Sequence, residues 1–169
     1  MLHVQRAVAL LAMLLSCWNL PAAVPLEQLK AAFLYNFALF VEWPAAPKGE
    51  FELCLYGGGP FEAADALTGK KVGSATVRVR RPARVEDLRS CQILYIEATD
   101  RKALARARAA VETAPVLTIA DASSGSENPA MISLVAENSH LAFDIDMHAA
   151  ERVGIKISSR LLRLARRVR

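Results

Sequence analysis

The chain has 169 residues, 53% hydrophobic and 22% charged, a balance that excludes a disordered chain and suits a domain with a packed core. Twenty-one Lys/Arg against seventeen Asp/Glu leave a net charge of +4. That excess is too weak for a dedicated nucleic-acid binder, which must neutralise many phosphates at once.

Residues 1–23 read as a removable targeting segment. Arg6 supplies the positive start, Ala7 to Leu15 is an unbroken apolar stretch, and small residues near Ala23 suit cleavage. The stretch is too short to span a bilayer as a permanent helix. Export is therefore expected, leaving one mature domain over residues 24–169 with 20 Lys/Arg against 17 acids, a net +3. "LLSC", Leu14 to Cys17, offers a rival reading as a lipoprotein signal with an acylated Cys17. Leu15 is untypical of that signal and no polar tether follows, so membrane contact is expected only if Cys17 is lipidated.

Leu26 to Val41 reads as a helix. Leu26, Leu29, Phe33, Phe37, Phe40 and Val41 recur at helical spacing, and Pro44 after Trp43 ends it. From Ala31 to Val41 the segment is uncharged for 11 residues, well short of the roughly 20 that a membrane span needs. A helix apolar on nearly all sides must bury more than one face. The surplus around Tyr35, Leu39 and Trp43 is expected to pack on a closing helix or on a second copy of the chain.

"FELCLY" follows as a buried strand closed by a glycine-rich turn, and "FEAADALTG" as a short helix stopped by Gly69. "ATVRVRR" alternates as a strand with one wet face, "VEDLRS" is a helical turn, and "CQILYIEA" is a central strand. "DRKALARARAAVETA" is an Ala-rich helix capped by Asp100, "PVLTIAD" a buried strand and "ASSGSENPA" a loop. "MISLVAENSHLAFDID" forms two strands about a turn at Glu137 to His140, and the chain is helical after Ser158 with a basic end. Strands alternating with helices predict an α/β fold in three layers: a mostly parallel, doubly wound sheet with a C-terminal antiparallel hairpin, preceded by the aromatic helix.

Beyond the leader two cysteines remain, Cys54 and Cys91. An even pair in an exported chain points to a disulfide, the alternative being two buried free thiols. If the first strand is central, the third lies beside it, which brings the two within bridging reach.

Catalytic signals are sparse. His140 and His148 stand without an acid or nucleophile in register, and no nucleophile elbow or His-Glu-x-x-His pair occurs. "YGGGPFEAADAL" places Glu62 where a phosphate-binding loop needs glycine, and Pro60 lacks an N–H, so a tight turn is expected rather than a cofactor site. No catalytic residue, metal ligand or cofactor is expected. Arg78, Arg80 and Arg81, and the group Arg160, Arg163, Arg166, Arg167 and Arg169, read as solvated faces rather than as contacts to lipid or to an acidic partner.

Taken together, "LKAAFLYNFALFVEWP", "FELCLYG", "CQILYIEA", "PVLTIAD", "LAFDID" and "GIKISSRLLRLARRV" resemble the YfiR family of exported bacterial proteins in order and spacing. The resemblance implies a non-catalytic periplasmic repressor. Such a protein binds the periplasmic domain of an inner-membrane diguanylate cyclase, lowers cyclic-di-GMP and restrains biofilm formation, and it implies a homodimer. Cys54 and Cys91 match the family's structural disulfide. A second family cysteine pair, in the region matching Asp121 to Val135, is missing from this chain, so redox control there is not implied. The expected partner surface lies where "LAFDID" runs on, with Met147 and Ala150 as pliable or small apolar contacts flanked by Asp146 and Glu151. The alternative is that Met147 and Ala150 only pack the closing helix on the sheet. A small-molecule-binding module serving a transporter or sensor kinase is the runner-up function.

Overall fold

A computed structural model describes residues 24–57, 61–97, 101–122, 130–137 and 140–169. The leader, Cys17, the tip of the glycine turn, Asp100 and the loop after Ala122 lie outside the described residues.

The domain opens with helix α1 (Leu26–Phe40). Ala31, Leu34, Phe37 and Ala38 are buried on it, a stripe at spacings of three and four residues. The chain then turns extended at Val41 (φ −119°) as the two-residue strand β1 (Val41–Glu42), which pairs antiparallel with β9 (Lys156–Ile157). The helix therefore stops one residue before the expected Val41. That β-branched side chain finds a ladder partner in Ile157, and the Phe40 carbonyl, left unpaired by the helix end, accepts from Ser158 N at 3.0 Å.

The main sheet comprises β2 (Glu50–Tyr56), β3 (Lys71–Val72), β4 (Ala75–Arg80), β5 (Ile93–Ile96), β6 (Leu117–Asp121), β7 (Ile132–Glu137), β8 (His140–Ile145) and β10 (Arg167–Val168). Their order is β10-β8-β7-β6-β5-β2-β4-β3. Contacts from β4 through β2, β5 and β6 to β7 are parallel, whereas β7–β8 is the expected antiparallel hairpin. Because β2 lies between β4 and β5, the strand order reverses there, the mark of a doubly wound sheet.

Alternation along the strands splits the core in two. Phe51, Leu53, Ile93, Ile119, Leu134 and Phe143 meet α1 on one face, with Phe33 and Phe37 edge-on to Phe143. Cys54, Leu94 and Ile96 meet helix α2 (Arg101–Val111) and Leu88 on the other. Cys54 and Cys91 are joined, with Cα atoms 5.9 Å apart. Cys91 precedes β5, at the end of a 3₁₀ turn (Val85–Ser90), so the bridge ties β2 to the approach to β5 rather than strand to strand.

The closing helix differs from expectation. After helix α3 (Met147–Arg152) and β9, only Ser159–Leu162 is helical (α4), capped by Ser158 Oγ accepting from Leu161 N. The chain then runs on as β10, parallel to β8, with Arg166 N bonded to Phe143 O and Arg169 N to Ile145 O. Sheet pairing along β8, held by Arg166 on Asp144, outcompetes the helical preference of the arginine-rich stretch.

Candidate interaction surface

Among the described residues no group of three or more His, Cys, Asp or Glu side chains could hold a metal ion. His140 and His148 are both exposed.

The expected partner surface sits where β8 ends. Asp146 is the N-cap of α3, its Oδ1 accepting from Ala149 N at 3.0 Å, and its own N–H donates to Met131 O. Met147 is half-buried against the main core, and its N–H donates to Arg169 O at 2.8 Å. Ala150 corrects the sequence reading: it is 0% exposed. Its carbonyl takes the N–H groups of Val153 and Ile155 as the chain reverses at Gly154 (φ +73°). That burial favours the alternative reading, in which Ala150 packs its helix onto the sheet. What remains accessible is Met147, His148, Glu151 and Arg152, with Asp146 as the group that fixes them.

Trp43 belongs to the same end of the molecule. A Cβ added at Gly154 would lie 3.0 Å from Pro44 Cγ, so the Trp43–Pro44 segment abuts the turn after α3. Trp43 donates from Nε1 to Gln92 O (3.1 Å) and stands edge-on to Phe51. Tyr35 is drawn elsewhere. Its hydroxyl donates to Lys71 O at 2.9 Å and the Lys70 ammonium lies over its ring, which docks α1 on the β3 corner. Of the three aromatic-helix candidates, Leu39 alone is an exposed large apolar side chain, at 46%. Intramolecular partners therefore account for Tyr35 and Trp43.

One polar cluster escaped the sequence reading. Lys30 Nζ lies 2.8 Å from Asp121 Oδ2 and 3.1 Å from Glu27, and the Tyr95 hydroxyl donates to the same Asp121 oxygen at 2.9 Å. Burial pulls the Lys30 ammonium down, but Asp121 and then Glu27 outweigh it and leave its pKa above the ordinary value. Burial first, and Asp121 second, hold the Tyr95 phenol protonated far above its usual range. The signal was an acid closing the otherwise apolar strand "PVLTIAD" and a lysine on the edge of an apolar helix.

Basic residues of β4 and beyond are mostly accounted for. Arg78 pairs with Glu50 (3.0 Å), Arg80 with Glu52 (3.4 Å) and Arg81, past the strand end, with Asp65 (2.7 Å). Arg78 and Arg80 share a face by alternation, but Arg81 does not join them. Arg166 grips both Asp144 oxygens and also reaches Glu137, which clamps β10 to the β7–β8 hairpin. The Arg166 hydrogen bond holds the Asp144 carboxyl below its ordinary pKa.

This fold has relatives among solved structures. A conserved domain protein from Vibrio cholerae O1 biovar El Tor superimposes with a TM-score of 0.53 at 14% identity, covering 85% of this chain and 60% of that one. An ABC domain in complex with L-Trp from Streptococcus pneumoniae gives 0.51 at 10% identity, covering 85% and 62%. The chain thus spans about three-fifths of those chains, and at these identities the likeness concerns the α/β fold alone. No helix among the described residues is long and apolar enough to cross a membrane. The YfiR/HmsC-like family pattern matches from residue 27 to residue 166, from the first turn of α1 to the arginine that clamps β10, and the chain belongs to that family.

Proposed function

We propose that this protein is a periplasmic regulator that binds the periplasmic part of an inner-membrane signalling protein, a diguanylate cyclase in the reading we favour, and holds its output down. Family membership over residues 27–166 carries the reading. The disulfide supports it, since such bonds persist in oxidising compartments. So does the surface around Met147 and Glu151: a pliable thioether within a charged rim suits an interface that must release. The protein acts by docking, without catalysis, and as a homodimer whose contact includes the exposed Leu39.

Deleting the gene is expected to raise cyclic-di-GMP, and a copy carrying Met147→Lys and Glu151→Lys is expected to fold yet fail to restore repression. Full restoration by that folded variant would remove this surface from the proposal; unchanged cyclic-di-GMP on deletion would remove the cyclase. Light scattering of Leu39→Asp tests the dimer. The runner-up, a small-molecule-binding module serving a transporter or sensor, draws on the reversal of strand order between β2 and β5, where doubly wound sheets take ligands. A thermal shift on adding a small molecule, L-Trp first given the pneumococcal neighbour, would favour it.

A further inference from the structure

We propose that the stretch from Arg160 to Arg169 is a docking surface for a bilayer carrying anionic phospholipid. Charge is unevenly spread along the chain. Residues 24–151 hold 13 Lys/Arg against 17 Asp/Glu, a net −4, whereas residues 152–169 hold seven Lys/Arg and no acid. Folding offsets part of the contrast, since Asp144 lies beside Arg167 in the β8–β10 register and also feels Arg169. Arg166 is paired with Asp144 and Glu137, and Arg160 lies over the Phe40 ring at 5.6 Å. Arg163, Arg167 and Arg169 are exposed, and among the described residues their side chains have neither an ion pair nor a hydrogen bond.

Two large apolar side chains stand exposed among these cations, Leu164 at 66% and Val168 at 44%. The helical turn of α4 continues through bonds from Leu164 N to Leu161 O and from Ala165 N to Leu162 O. Arg160, Arg163 and Leu164 are then spaced i, i+3, i+4 and share one face. Guanidinium groups bind phosphate oxygens in pairs, and a leucine between them can enter the acyl boundary below the headgroups.

Other occupants fit less well. Two copies meeting edge to edge along β10 would set Arg167 and Arg169 of each against the other. Strand addition has almost no edge to use, because β10 is two residues long and Arg169 bonds inward to Ile145 and Met147. An acidic protein surface would satisfy the arginines but needs apolar hollows for Leu164 and Val168 as well.

This surface extends the partner-binding reading without depending on it, since a lipid vesicle contains no protein. The test is co-sedimentation of the chain from Val24 onward with vesicles of phosphatidylcholine, with and without phosphatidylglycerol, at two salt concentrations. Binding is expected only with phosphatidylglycerol and is expected to fall steeply with salt. Arg163→Glu with Leu164→Ser should weaken it on the order of tenfold or more while leaving the melting temperature in place. Arg106→Glu on α2, an equal charge change elsewhere on the surface, should leave vesicle binding unchanged within about twofold. Equal binding to neutral vesicles, no binding at all, or an unaffected Arg163/Leu164 variant overturns the proposal. Retention on native membranes that protease shaving abolishes, with no vesicle binding, assigns the surface to an acidic protein instead.

Discussion

Reducing the Cys54–Cys91 bridge should cost this domain a large part of its stability. The two cysteines are 37 residues apart in sequence, and both are buried, at 0% and 2% exposure. The β2–β5 ladder beside Cys54, with Gln92 N bonded to Glu52 O and Cys91 N to Leu88 O, holds the backbone on both sides whether or not the bond exists. The bond therefore acts chiefly on the unfolded chain. Closing a loop of that length removes about 13 cal/mol/K in the chain-entropy relation, or about 4 kcal/mol at 25 °C. For a domain of this size each kcal/mol moves the midpoint by roughly 2–4 °C, so reduction should lower Tm by roughly 8–15 °C. The assay is thermal unfolding of the chain from Val24 onward, oxidised and reduced, beside a Cys54→Ala/Cys91→Ala variant. Reduced protein keeps its sulfur atoms and isolates the loop effect, while the double variant also loses buried contacts and should melt lowest. Oxidised and reduced protein melting within about 2 °C of each other would refute the reasoning, because the loop effect alone predicts several times that. Two titratable thiols in the unfolded, unreduced chain would refute the bridge itself.

Other perturbations have equally definite outcomes. Ala150→Asp places a carboxylate at a 0% exposed site and should cost more than about 3 kcal/mol in urea unfolding; a stable variant would mean the residue is not in the core. Asp144 has a folded pKa depressed by Arg166 below 3.8, so its stabilisation is complete above its unfolded pKa and lost as pH falls through the folded value. Asp144→Asn should accordingly flatten the fall in stability below about pH 4, followed by urea melts between about pH 2 and 6. Lys30→Met leaves Asp121 beside Tyr95 without its ammonium and should cost about 1–2 kcal/mol, discounted for partial exposure. Hydrogen exchange should then speed up in the first turns of α1, and an unchanged exchange pattern would mean the pair does not hold the helix.

The long elements were legible because their patterns repeat. Strands such as "ILYI" are apolar on both sides, α1 carries its stripe over four turns, and the two cysteines beyond the leader have one partner apiece. What escaped notice lacked a period. Two-residue strands such as Val41–Glu42 and Arg167–Val168 show no alternation, and their pairing is set by distant chain. Lys30 and Asp121 are 91 positions apart, so their ion pair leaves no local trace. Ala150 was ambiguous for a different reason: alanine suits both the surface and the tightest part of a core, and only the reversal at Gly154 decides between them.

The small ladder between β1 and β9 has a consequence for how the domain is made. Val41 and Ile157 are partners although the whole sheet except β10 is encoded between them. The aromatic face of α1 also rests on Phe143, far down the chain. A chain threading out of a membrane with its first residues leading would present that helix long before the surfaces that cover it exist. Such high sequence separation makes closure late and slow, and it leaves greasy surface open meanwhile. On a chain that emerges in that direction, α1 is the surface that stays uncovered longest.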